Sequence, residues 1–121
     1  MTLENATGFK TFQATAVAIA VATRVVVDAT GKIAAAAATD MAVGVTMEAV
    51  AASGYGLVKL FSAPGTFLMT ASGAITAGVV VFPAASGKIA SAGTTALTIQ
   101  ALEAATANGD IIECMTFQKG A

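Results

Sequence analysis

Apolar and polar positions alternate with a period of two along much of this chain. From Ala14 the alternation is strict: Ala14, Ala16, Ala18, Ala20 and Ala22 interleave with Thr15, Val17, Ile19, Val21 and Thr23. Such a pattern puts branched bulk on one face of a strand and a flat alanine face on the other, and it predicts a strand over 14–23. A helix competes on alanine's propensity, but it would spread the β-branched residues around its whole circumference. Val25-Val26-Val27 continue the extended tendency, and Asp28-Ala-Thr-Gly31 supplies a turn before Lys32-Ile33. Further strands are predicted over 43–47, 57–61, 67–70, 79–82, 88–90, 97–100 and 110–117. Pro83 should end its strand or lie at a sheet edge. The five alanines 34–38 have no strong face for a helix and read as a packed strand end or surface loop. Ala63-Pro-Gly-Thr66 is the clearest turn, with Pro64 presetting φ and Gly65 supplying the positive φ of a type II turn.

The pattern also repeats. Thr23-Arg-Val-Val-Val-Asp-Ala-Thr-Gly-Lys-Ile-Ala34 and Met47-Glu-Ala-Val-Ala-Ala-Ser-Gly54 recur about 55 residues later as Gly78-Val-Val-Val-Phe-Pro-Ala-Ala-Ser-Gly-Lys-Ile-Ala90 and Leu102-Glu-Ala-Ala-Thr-Ala-Asn-Gly109. Thr11-Phe12 then falls on Thr66-Phe67, and Val25-Val26 on Val80-Val81. Two similar modules, about 11–65 and 66–120, follow from this alignment, preceded by a polar arm over 1–10. A module of about 55 residues is marginal alone, so the two are expected to share one core within a single β domain over 11–121. The predicted fold class is all-β, a small antiparallel β-sandwich or barrel with little helix.

Composition narrows the chemistry. Hydrophobic residues make up 56% of the chain, but 30 of the 121 residues are alanine, which buries little area. With only 11% charged residues, apolar surface must remain outside one small core, which favours packing against other subunits. A net charge of −1 with scattered basic residues argues against nucleic acid. The apolar run 14–22 resembles a signal-peptide core, but Glu4 stands ahead of it where basic residues belong, and it is too short to span a bilayer. No membrane role is expected.

Histidine is absent, which removes the usual general base, the Ser-His and Cys-His pairs and the commonest zinc ligand. Cys114 is alone, without a partner for a disulfide or a CxxC site, and reads as a small buried hydrophobe. The repeat makes Glu48 and Glu103 equivalent, and a paired-carboxylate site on them is conceivable, yet matching positions in two copies more often mark a repeated turn. Gly31-Lys32 and Gly87-Lys88 lack the spacing and the hydroxyl of a phosphate loop. The sequence points to no catalytic, cofactor-binding or metal-binding residues and to a protein that is not an enzyme. The arm offers Leu3, Phe9 and Phe12 as apolar anchors for a partner.

The module itself, a valine strand after Thr23-Arg or Gly78, a turn ending Gly-Lys-Ile, then Val43-Gly-Val-Thr-Met-Glu-Ala-Val-Ala-Ala-Ser-Gly54, resembles the capsid decoration, or cement, proteins of tailed bacteriophages. The similarity covers nearly the whole chain, including Lys59-Leu-Phe-Ser-Ala-Pro-Gly-Thr66 and Ala101-Leu-Glu-Ala-Ala-Thr-Ala-Asn-Gly-Asp110. The resemblance implies a small β-rich structural protein on the outer surface of the virion. It would bind the major capsid protein, often as a homotrimer, and hold adjacent capsid subunits together. A bacterial surface or secreted β-domain, such as an adhesin or fibre module, is the alternative.

Overall fold

The computed structural model describes residues 7–117. Ten strands follow one another: β1 (Phe9–Gln13), β2 (Arg24–Val27), β3 (Ile33–Ala35), β4 (Gly44–Thr46), β5 (Tyr55–Leu60), β6 (Thr66–Thr70), β7 (Phe82–Pro83), β8 (Ile89–Ala90), β9 (Ile99–Ala101) and β10 (Ile111–Thr116). A 3₁₀ turn at Ala85–Gly87 is the one helical element among the described residues. The strands form a five-stranded sheet in the order β1-β5-β4-β2-β3, a three-stranded sheet β6-β10-β9 and a ribbon β7-β8. All strand pairings are antiparallel, and none of the sheets closes into a barrel. The all-β class read from the alternation is the class observed.

The same backbone contacts occur in both halves. Ala14 forms a parallel bridge to Ile33 as Ala71 does to Ile89, and Ile19 pairs with Val50 as Ile75 does with Ala105. The Glu48 carboxylate accepts from the Leu57 N–H at 3.0 Å, and the Glu103 carboxylate from the Glu113 N–H at 2.7 Å. Each glutamate is thus committed to the first turn of its own returning strand, which accounts for its recurrence. Positive φ recurs as well, at Ala22 (57°) and Gly78 (87°), and at Gly31 (83°) and Gly87 (71°).

These contacts correct the alignment by identity. In β1 the pair Lys10↔Val58 corresponds to Phe67↔Cys114 in β6, and Phe12↔Gly56 to Met69↔Ile112. Thr11-Phe12 and Thr66-Phe67 are therefore two residues out of register. Because the strand period is two, a slip of two preserves the face, so identity alone does not reveal it.

The strand predicted over 14–23 is not formed. Ala14 and Ile19 are both buried, yet an odd separation of five puts them on opposite faces of any straight strand. The chain turns between them, leaving Val17 69% exposed, and turns again at Ala22, whose φ is left-handed. Predicted strand 79–82 is likewise reduced to a single Val80↔Gln100 bridge and β7, where Pro83 sits in a two-stranded ribbon that needs little from its missing N–H. The Pro64-Gly65 turn is present, with Gly65 at φ 94°.

Buried side chains form two clusters. Ala14, Ile19, Val25, Ile33, Val50 and Val58 fill the first half, with Phe12, Val27, Val43 and Leu60 packed against them. Phe67, Met69, Ile75, Val81, Ile89 and Ile112 dominate the second, and Val45 of β4 belongs to this second cluster. Phe61 packs on it too, its ring 5.4 Å from that of Phe67. The two halves are joined by this shared packing and by polar contacts around Arg24.

Candidate functional site

Arg24 opens β2 and is only 1% exposed, the largest fully buried side chain described. Its Nε donates to the Lys88 carbonyl at 3.1 Å and its terminal NH2 to the Ala84 carbonyl at 2.8 Å. Both acceptors flank the 3₁₀ turn of the other half. Gly87 completes the contact by donating its N–H to the Ala36 carbonyl at 2.7 Å. Burial pushes the guanidinium pKa down, and the nearby Asp40 carboxylate works against that shift. Nearby, the Thr70 N–H and hydroxyl both donate to the Ala22 carbonyl, and Lys59 donates to the Thr66 carbonyl with its ammonium 4.7 Å from the Phe67 ring centre. This site is a structural clamp between halves. The sequence reading missed it; a single arginine entering an otherwise apolar run, Thr23-Arg-Val-Val-Val, was the available signal.

Of the three residues read as apolar anchors, Phe9 and Phe12 are not brought together on one face. Leu3 lies outside the described residues. Phe9 and Phe12 lie three apart in β1 and so on opposite faces of it. Phe12 is half-buried on the core side, with Lys10 Nζ 5.7 Å from its ring centre. Phe9 is half-buried on the other face, under Lys59 Nζ at 5.7 Å. β1 itself is an edge of the five-stranded sheet.

A group of exposed apolar residues lies elsewhere. On the outward face of β6-β10-β9, register places Leu68 beside Glu113, Thr66 beside Met115, and Met115 beside Gln100, with Val80 bridging to Gln100. Leu68, Val80, Leu102, Ile111 and Met115 are all exposed there. Val21 and Met47 meet Leu68 at one margin, around a shallow depression that also takes in Lys59 and Phe67.

Titratable groups outside the clamp serve loops. Asp28 accepts from the Thr30 N–H and hydroxyl and from the Lys32 N–H, and Asp110 accepts from the Thr106 N–H and hydroxyl and the Ala107 N–H. These bonds hold both carboxyls below their usual range. Burial, reinforced by the negative charges of Glu103 and Glu113, pushes the Cys114 thiol up from 9.0 to about 11. The unfolded chain ionises near the ordinary value and the native chain only near the raised one, so stability falls as pH rises between them. Cys114 should therefore resist maleimide at pH 8 in the native protein and react promptly in denaturant. A labelling rate equal in both states would place the thiol at the surface.

No protein-family model matches the chain, and no curated protein matches it by sequence. Among solved structures, the chain is similar to the head fiber gp8.5 N base of bacteriophage phi29, with a TM-score of 0.71 at 15% sequence identity. The match covers 90% of this chain and 94% of that one, so the two share a fold over nearly their whole lengths.

Proposed function

We propose that this chain is a structural protein of a tailed-phage head, bound to the outer surface of the capsid, where it braces neighbouring major capsid subunits as a homo-oligomer, with a trimer favoured. The observation that carries the reading is the fold shared with a phage head fiber base. The sequence resemblance to capsid decoration proteins and the exposed apolar face support it independently. A two-part body that uses the one buried charge among its described residues for internal bracing suits a protein that resists deformation. Capsid affinity would come from many modest contacts acting together over the shell.

The arm leads into edge strand β1 and is assigned to the capsid side. Since Phe12 packs against the first cluster, a deletion that tests the arm must stop before Phe9. Removing residues 2–6 should lower occupancy on expanded, decoration-free heads by about tenfold, the scale of one lost anchor, here Leu3, and leave the body folded. Co-sedimentation of the full chain and the deletion variant with such heads reads both. Failure of the full chain to bind would sink the capsid assignment, and equal binding of the two would take the arm out of it.

A further inference from the structure

The two halves present the same cross-strand row to very different surroundings. In the first half, register lines up Phe9, Lys59, Val45 and Arg24 across β1, β5, β4 and β2. In the second, the corresponding row is Thr66, Met115, Gln100 and Val80. Arg24 and Val45 are each 1% exposed because the other half sits on them: β6 through Thr66 and Phe67, and the 84–88 turn through two carbonyls and Gly87. Of their counterparts, Val80 is 36% exposed and Gln100 half-buried, and Met115 next in the row is 37% exposed. The turn that does the covering also has an uncovered counterpart. Asp28 donates its N–H to the Lys32 carbonyl as Ala84 does to that of Lys88, so residues 28–32 repeat the 84–88 turn. A Cβ on Gly87 would lie 2.3 Å from Thr23 Cγ2 and 2.6 Å from the Arg24 carbonyl oxygen, whereas one on Gly31 would meet nothing within 4 Å.

We infer that copies of this chain associate head to tail, the Val80–Gln100–Met115 row of one copy seating the 28–32 turn and the adjoining end of β1 of the next. The junction within the chain is the template: it shows what this row of the fold packs against when covered. The exchange of Arg24 for Val80 makes the intermolecular version apolar and separable, where the internal one is a buried guanidinium clamp. The 28–32 turn is itself neutral, Asp28 against Lys32, so Lys10 at the adjoining edge is the net cation facing Glu103 and Glu113, which stand on or beside the uncovered face. A contact between two different surfaces closes into a ring when its rotation divides the circle, so a ring of three chains would hold six halves in sequence around it. The inference concerns self-association alone and does not depend on the capsid assignment.

The test is sedimentation of the full chain with two variants, each directed at one surface. Val80→Glu places a charge on the row. Gly31→Asn fills the open space at the turn with a residue that accepts left-handed φ. Wild type should sediment as an oligomer, and each variant alone as a folded monomer by circular dichroism. Mixed in equal amounts they should form a species of twice the monomer mass, because each retains the surface the other lacks. A monomeric wild type, or an oligomer that survives Val80→Glu, would overturn the inference. So would variants that dissociate singly yet fail to pair, which is the result expected of a contact between like surfaces. Loss of head binding by Val80→Glu from a monomeric wild type would assign the face to the capsid instead.

Discussion

Replacing Arg24 with methionine should lower the unfolding free energy by about 3 kcal/mol and the thermal midpoint by roughly 10–15 °C. Methionine approximates the volume of the arginine stem, so the loss reports the guanidinium rather than a cavity. Two charge-assisted hydrogen bonds disappear, to the carbonyls of Ala84 and Lys88. Lys88 keeps a second donor in the Ala84 N–H, so the Ala84 carbonyl is the group left worse off. Lysine at this position should recover little, because one ammonium cannot present the planar fork that reaches both acceptors. Differential scanning calorimetry measures the effect. A midpoint within about 2 °C of wild type would mean that the halves hold together through Val45 and Phe61 without the clamp.

Gly87→Ala is the second large effect, and Gly31→Ala is its internal control. Both glycines have positive φ, at 71° and 83°. Alanine in the left-handed region costs about 1 kcal/mol at either position. At Gly31 that is the whole cost in the isolated chain. At Gly87 the new methyl also strikes Thr23 and the Arg24 backbone, and backbone in the middle of the clamp has nowhere to go. A total of about 4 kcal/mol is expected for Gly87→Ala, enough to leave a large unfolded fraction at physiological temperature. Denaturant titration of dilute samples, where self-association does not contribute, should separate the two variants by about 3 kcal/mol. Equal losses would show that the 84–88 turn does not bear on the first half.

The contrast between these glycines shows which parts of the fold could be read from sequence. Local chemistry was legible: the Pro64-Gly65 turn, the Gly-Lys-Ile turns and the alternation in β5, β6 and β10 each announce their conformation without reference to anything distant. The recurrence of Glu48 and Glu103 was legible as a turn device, and each carboxylate does receive the N–H of the returning strand. What failed was the inference from period to strand over 14–23. Alanine fits both faces of a strand equally, so a run of alternating alanines does not say where the chain turns. The burial of Ala14, Ile19 and Ala22 is set by contacts with residues 33, 50 and 46.

Interfaces were less legible still. Phe9 and Phe12 read as anchors because they are aromatic residues near one end; both belong to β1, and Phe12 packs against the first cluster. The outward face has its own signal in the sequence: in Ile111-Ile-Glu-Cys-Met115, apolar residues stand on both strand faces, with Glu113 the one charge on the outward side. A strand apolar on both faces is covered on both faces, by its own chain or by another.

The central claim is that this chain is a structural component of a phage head, and the number of copies per purified particle tests it most directly. Quantitative mass spectrometry of DNA-filled particles from cells expressing the gene should find the chain in fixed proportion to the major capsid protein, and mild external protease should remove it while the shell stays intact. Particles that lack the chain, or hold it in amounts that vary from one preparation to the next, would contradict the account.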